Sequence, residues 1–566
     1  MTRRSPLAVV LMCALVLAAC AGSGNEESAT ATTAPEDMDE STDAAPGSGT
    51  PTTEPAVSPD PIPGGTLRYA AGAVGPSLDP TSTEFTAAER TVVNTVFDTL
   101  TAIDVDGRPV PYLAESLTPV GGDLSVWQVT LRPDITFHDG TPLDAAAVVA
   151  NFEAQRADPG IGVVIRADYV PDQPVTVVDE QTVEYRLLDP SGAFPARLAG
   201  QEGIIASAAW LEATVGDPTL RGRPIGTGPY TFADRTDRFL RVDRNPTWWG
   251  GDVYIDAIEF IDDDAGALDA VALLDVGELD GLQSAGPTEL DRLAELDGVQ
   301  TTTEVDDEVA LVMLNTESPP FDDPVVRRAL TLATPLDVVR QALGGEQVVA
   351  ATQRFAPDSP YFDPRVEQVG DVPEDARTLL FATCIDTPDR CVDGRIGVEL
   401  QYPVETTPQP AIDALVDGWT SVGFDVDVQP LSAAEHQSQI AFGEFNATLW
   451  RQFGAVDPSA DNAFLLCRNI ADVSLNWTRL CDLARDAELL EAQRSADPNE
   501  RTSAYQTVSA TIAESNAYVF LTHDEWAYAF GPNVGGVCAR TAPDGAVLAC
   551  AAPAGGTWLS QLWFTG

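Results

Sequence analysis

Helical and strand periodicities alternate along much of this chain, and that alternation restricts it to architectures in which helices cover a sheet. Gly65 to Ala71 alternates as a strand does, and Leu78-Asp79-Pro80 closes the turn after it. Val92, Val93, Val96 and Leu100 are spaced for one face of a helix, and Trp127 to Arg132 alternates again. Asp144 is placed to cap a helix running to Arg156, with Val148, Val149 and Phe152 on one face. In the second half, Asp323-Pro324 marks a helix start. Ile412, Leu415, Val416 and Trp419 form a helical stripe that Gly423 ends, and Phe424, Val426 and Val428 follow as a strand. Asp497-Pro498 begins a further helix with Tyr505, Val508 and Ile512 inward, leading to a strand at Tyr518 to Leu521. The expected fold class is therefore α/β. No short repeat recurs, which excludes solenoids and propellers. A length of 566 residues leaves room for three or four compact domains or two large lobes.

Six cysteines fall in the folded region as sequence-local pairs: Cys384 and Cys391, Cys467 and Cys481, Cys538 and Cys550. Six cysteines allow fifteen connectivities, of which three short loops is the simplest. A structural zinc is the rival, although such spacings lack the close approach that zinc sites favour. All 32 basic residues are Arg, so chemistries that need lysine are excluded: a Walker-type phosphate loop, a Schiff base and a Ser-x-x-Lys acylase. Three histidines (His138, His436, His523) and four methionines make a His- or Met-rich metal site improbable, and no cofactor is expected. A net charge of −55 repels phosphate backbones, so nucleic acid is not an expected partner.

The N-terminus carries an address. Arg3 and Arg4 precede an apolar run from Leu7 to Ala19, a secretory signal peptide over residues 1–19 and too short to span a bilayer. Leu17-Ala18-Ala19-Cys20 resembles a bacterial lipobox, which implies cleavage before Cys20 and acylation of its thiol. Residues 21–63 hold nine acidic residues and no basic one, amid Ser, Thr, Ala, Pro and Gly. Such a segment cannot offset its chain entropy by burial and reads as a disordered acidic tether, 20–63, ahead of a folded body starting near Gly64. Localisation follows: lipid-anchored at the extracytoplasmic face of a bacterial membrane, facing the periplasmic space. In that oxidising compartment the cysteine pairs read as disulfides.

A set of segments, taken in order, resembles the family 5 extracellular solute-binding proteins of ABC importers, the oligopeptide, dipeptide and nickel-binding group. They are Gly64 to Ala70, Phe97 to Leu100, Pro111 to Leu117, Trp127 to Leu143, Ile225 to Tyr230, Asn245 to Trp249, Leu314 to Thr316 and Pro320 to Leu330. The resemblance covers 64 to about 530. It implies a two-lobed, periplasmic-binding-protein-like fold of class II type, with a small subdomain inserted in the first lobe. Its expected division is lobe I over 64–312, lobe II over 313–520, and a return to lobe I over 521–566. Hinge crossings are expected at Val309 to Asn315 and Val519 to Trp526. It further implies closure over a small solute, peptides first, then delivery to an ABC permease and its ATPase by a monomer.

The segment from Trp450 to Pro458 resembles the family's ligand-contacting loop. In peptide binders an Asp about three residues after the Trp pairs with the ligand's α-amine; Phe453 stands there, beside Gln452. The candidate ligand-binding residues are Trp450, Arg451, Phe453 and Asp457. Each has a plain alternative: Trp450 a core tryptophan, Arg451 the partner of a structural carboxylate, Asp457 the start of an Asp-Pro turn. His138-Asp139-Gly140 reads as a turn rather than a catalytic group. Gly226-Thr227-Gly228 lacks a dinucleotide fingerprint and reads as a turn entering a strand. Trp248 and Trp249 read as packing, and Asp262 to Asp264 as a solvated loop without calcium spacing.

Three functions compete at this point. The first is a binding protein for an importer. The second is an enzyme, disfavoured because Gly-x-Ser-x-Gly and His-Glu-x-x-His are both missing, although a paired-carboxylate glycosidase stays open. The third is a sensor lipoprotein, or a binder of a glycan or metal chelate. The expectation is a non-enzyme.

Overall fold

The computed structural model describes residues 61–261, 268–345, 348–552 and 555–565. The signal peptide, Cys20, the tether up to residue 60 and the run Asp262 to Asp264 lie outside them.

One eleven-stranded sheet organises the chain. Its strands, in chain order, are β1 (Thr66–Ala70), β2 (Tyr230–Arg235), β3 (Phe239–Arg244), β4 (Ala257–Ile261), β5 (Gly281–Ser284), β6 (Gln300–Leu314), β7 (Ile396–Pro403), β8 (Phe424–Leu431), β9 (Ala447–Gln452) and β10 (Tyr518–Phe530). The spatial order is β8-β7-β9-β6-β10-β5-β1-β4-β3-β2, with the short strand Val349–Ala350 beside β10. Thus β1 to β5 form one half, β7 to β9 the other, and among the described residues only β6 and β10 run through both.

The period-two pattern shows why β6 and β10 lie deep in the second half. On β6, Val309, Leu311 and Met313 face a core shared with Tyr505, Val508 and Ile512, while Val312 and Leu314 face the opposite core. Strand β10 does the same with Tyr518 and Phe520 against Val519 and Leu521. Strands buried on both faces read as continuous apolar runs, as these do. Helices cover both sides: α1 (Ala87–Val96) in the first half, α2 (Pro324–Ala333) and α3 (Gln409–Val422) on one face of the second, α4 (Pro498–Ser515) on its other face.

Local signals set the helix starts. Asp323 accepts from the Val325 amide at 2.8 Å, Asp497 from Asn499 at 2.8 Å and Asp144 from Ala147 at 2.8 Å, each relieving an orphan donor. The stripe Val92 to Leu100 is helical only in part. Helix α1 begins earlier, at a Thr86–Glu89 capping box, and ends at Val96. Phe97 is extended, and Asp98 turns into the core, where its Oδ2 accepts from Thr227 (3.0 Å), Trp248 (3.3 Å) and Trp249 (2.8 Å). Burial raises the pKa of Asp98, and those three donors oppose the rise. The tryptophan pair is thereby committed to packing. A Cβ on Gly226 or Gly228 would fall 2.2 to 2.6 Å from the Val96 carbonyl oxygen, so this glycine pair lets the turn press on the end of α1.

A separate four-stranded antiparallel sheet (Ala114–Pro119, Val126–Leu131, Val175–Val177, Thr182–Arg186) is inserted between β1 and β2 and packs its own core with the helix Ala145–Ala157. Disulfides join Cys384 to Cys391, Cys467 to Cys481 and Cys538 to Cys550.

Trp419 of α3 is the largest fully buried side chain of the second half, and its indole N–H donates to Thr334 at 2.9 Å. Replacing it by Ala should cost about 3–5 kcal/mol through lost transfer energy and a residual cavity. A denaturant midpoint unchanged from wild type would contradict this placement.

Candidate functional site

The two halves meet where β6 and β10 lose register. Val305 pairs with Glu525 and Val309 with His523, so three residues of β6 oppose the single residue Asp524. This bulge pushes Asp306, Asp307 and Glu308 out of the ladder. The neighbours change at the same place. On the Gln300–Val305 side β10 is flanked by both β5 and β6; on the Val309–Leu314 side β6 is flanked by both β9 and β10.

Each extruded carboxylate has a distinct fate. Asp307 accepts from the Ala356 amide at 2.8 Å and from Ser359 at 3.1 Å, which fixes the segment Ala356 to Ser359 against it. Glu308 accepts from Arg451 Nε at 3.0 Å, and Arg451 reaches across to Asp524 with Nη2. Asp306 accepts from the Glu308 amide through Oδ1 at 2.8 Å, while its Oδ2 is buried without a hydrogen-bond partner. Burial, then the charges of Glu308 and Asp524, push the Asp306 carboxyl up to about 8. His523 beside them is driven down to about 4, chiefly by burial.

The segment after β9 forms the adjoining wall. Trp450 is half-buried between His436 (ring centroids 5.4 Å) and Trp477 (5.3 Å, edge-on). Phe453 adopts a left-handed φ of 75°, and its ring lies 4.8 Å from the guanidinium carbon of Arg354. Gly454 follows at φ 87°; a Cβ there would meet the Glu308 backbone at 3.0 Å. Asp457 accepts from the Ser459 amide at 2.9 Å, starting the Asp-Pro turn, and pairs with Arg501. Of the four sequence candidates, Trp450 and Phe453 are held by aromatic and cation–π contacts, Arg451 and Asp457 by charges of the chain itself.

Across the junction, the Gly192 amide donates to Gln493 O at 2.9 Å and Arg468 pairs with Asp189 at 2.5 Å. Beside the junction, where a Cβ on Gly200 would come 3.1 Å from Val456 of the second half, a cavity of only about 20 Å³ is left in the first half, lined by Phe85, Arg90, Asn94, Gly200, Gln201 and Trp558. That is room for one water. Two larger hollows, about 480 and 500 Å³, lie on the outer face around Arg328, Leu332, Glu514 and Asn516, away from the junction.

His138, Asp139 and Gly140 form a turn: Gly140 has φ 81°, Asp139 accepts from the Thr141 amide at 2.9 Å, and the imidazole of His138 bonds to Gly228 O at 3.0 Å. Among the described residues no group of three His, Cys, Asp or Glu side chains is arranged to hold a metal ion, and no helix is long and apolar enough to cross a membrane. Sequence reasoning did not single out Arg90 and Trp558, which line the small cavity and for which no local motif gives a signal. It also missed the carboxylates of the junction, which are visible only as an acidic run, Asp306 to Glu308, ahead of the apolar stretch of the strand.

This is the two-lobed fold of periplasmic binding proteins. The model of the bacterial extracellular solute-binding proteins, family 5, matches residues 108–471, and the chain belongs to that family. Di/tripeptide-binding protein 2 of Pseudomonas aeruginosa is 25% identical over 358 residues, covering 61% of this chain and 65% of that protein. Glutathione-binding protein GsiB of Pectobacterium atrosepticum is 29% identical over 293 residues, covering 49% and 53%. The match thus spans less than two thirds of either relative. The periplasmic binding protein DppA of Helicobacter pylori, solved with the peptide STSA, superposes with a TM-score of 0.71 at 18% identity over 89% of this chain and 99% of that one.

The raised Asp306 carboxyl carries a pH signature. A folded-state pKa of about 8 against 3.8 for the ordinary group means the contribution is fully present below pH 3.8 and lost as pH rises through 8. Asp306→Asn should therefore gain melting temperature relative to wild type steadily between pH 4 and 8, at constant ionic strength. A gap that stays flat or reverses would contradict a buried, unpaired carboxyl.

Proposed function

We propose that this chain is the substrate-binding protein of an ABC importer, tethered by an acylated Cys20 outside the cell membrane, which captures peptides or similar small solutes by closing its lobes. Family membership supports the class, and the names of the relatives, di/tripeptide and glutathione binders, support short peptides as the first guests to test. The observation that carries the mechanism is that, among the described residues, only β6 and β10 connect the two halves of the sheet and that both change partners at a bulge. A bulged two-strand crossing bends more easily than the doubly buried strands on either side of it, and hinges sit at such points.

On this reading the division runs as lobe I over 64–312, lobe II over 313–520 and a return over 521–566, with the crossing itself at 305–309 and 523–525. The cleft is shut, and a guest enters only when the lobes part. Affinity then comes from burying the guest's surface, and orientation from a few placed polar groups. Trp450 and Phe453 supply an aromatic wall; Arg451 and Asp457 fix that wall in place through Glu308, Asp524 and Arg501. No bond of the guest is made or broken. Sensing without transport uses the same cleft, and neighbouring permease and ATPase genes distinguish the two.

Native mass spectrometry of the purified protein with a mixture of di-, tri- and tetrapeptides tests the reading. The expected result is a retained, chemically intact peptide; its hydrolysis, or no retained mass at all, would overturn it. Because Phe453 stands where peptide binders place an amine-pairing Asp, a tripeptide and its N-acetylated form should bind within about threefold of each other. A loss of a hundredfold on acetylation would contradict an amine-independent pocket.

A further inference from the structure

Arg90 and Arg540 are two cations near this cavity whose Nε atoms are buried without a hydrogen-bond partner; Arg540 is covered by Trp558 and Tyr112, and Arg90 lines the cavity. Arg90 is half-buried on α1 and is the one charged side chain lining the cavity beside the junction, where Phe85, Asn94, Gln201 and Trp558 also lie. Its Nε is buried without a hydrogen-bond partner, and among the described residues its guanidinium enters no ion pair. Buried cations are ordinarily paired, because the hydration they lose is otherwise uncompensated.

The carboxylates nearby do not meet that need. Glu84, Glu89, Asp306 and Glu308 act on Arg90 only at longer range. Glu89 is occupied by the Thr86 amide at 2.8 Å and the Gly75 amide at 2.9 Å. Glu308 is held by Arg451, and Asp306 by the Glu308 amide. Burial lowers the Arg90 pKa and these acids oppose the fall without bonding to its side chain, which lines the cavity.

The wall beside it is equally prepared. The Thr557 amide donates to Thr91 Oγ1 at 3.0 Å, and Asn94 reaches Thr557 O at 3.5 Å, which fastens the C-terminal segment to α1. Trp558 then stacks on Arg540, whose guanidinium carbon is 3.6 Å from the ring centroid and 4.7 Å from that of Tyr112. The indole is thus set as a flat surface before any guest arrives, by a segment that lies outside the family-matched residues 108–471.

Resting on the reading of this cleft as a solute site, we infer that Arg90 is a specificity-determining residue that receives a carboxylate of the guest, with Trp558 as the planar wall against which that group is laid. A guanidinium fork matches a carboxylate with two parallel bonds, and such charge-assisted pairs are the strong ones. No bond is formed or broken in this step.

The test is calorimetric titration of the full-length protein with tri-alanine and with tri-alanine amide, whose only difference is the terminal carboxylate. Wild type should prefer the free acid by about tenfold or more. Arg90→Gln should reduce that preference to within about twofold while leaving the amide's affinity and the melting temperature little changed. Arg90→Lys, which keeps the charge and loses the fork, should retain an intermediate preference and serves if the Gln variant folds poorly. An undiminished preference in either variant, or equal binding of acid and amide by wild type, would overturn the assignment of Arg90 while leaving the solute-binding reading intact. Failure of wild type to bind either peptide would instead overturn the peptide reading, and this inference with it.

Discussion

The pairing of β6 with β10 is the constraint on which the rest of the molecule depends. Both strands are buried on two faces in the second half, where their residues alternate between separate cores, and each has few alternatives in register because a slip of one residue would exchange the cores. Stiffness of that kind ends abruptly at Val305 and resumes at Val309. The bulge between them interrupts the pairing at one level of the sheet. It also places ionisable groups there, since residues that leave the ladder no longer need apolar side chains. Bulge and polar cluster therefore share one cause.

Much of the architecture was legible because the signals were local. Pro following Asp at 323 and 497 marks helix starts on any reading, and Ile412, Leu415, Val416 and Trp419 declare the buried face of α3 by spacing alone. The stripe Val92 to Leu100 was only half right, because periodicity does not register that Asp98 has three donors waiting in the core. The cysteine pairs were readable from proximity in sequence, and the bonded pairs are those neighbours.

The site was less legible, and for a physical reason. Trp450, Arg451, Phe453 and Asp457 lie in one segment, so a motif can find them. Arg90, Asp306 and Trp558 belong to a helix, a strand and the C-terminal segment, and they become neighbours only through long-range packing. Spacing carries no trace of such an encounter. Arg451 shows the converse difficulty: its place in the motif suggests a ligand, while the Glu308 and Asp524 carboxylates that claim it sit on strands far away in sequence.

The exclusive use of arginine gives these observations a common footing. In a chain with 87 acids and 32 bases, every cation is surrounded by candidate partners, and the guanidinium, with five donors, bonds carboxylates and carbonyls together. Arg354 does so with Asp461 and Pro458 O, Arg485 with Leu465 O and Leu480 O, Arg197 with Asp168 and Glu202. Where partners are this abundant, a half-buried guanidinium that touches none of them is held away by geometry, not by scarcity. Helix α1 holds Arg90 beside the cavity, and the one acid of that helix, Glu89, is turned to the cap and to the Gly75 amide.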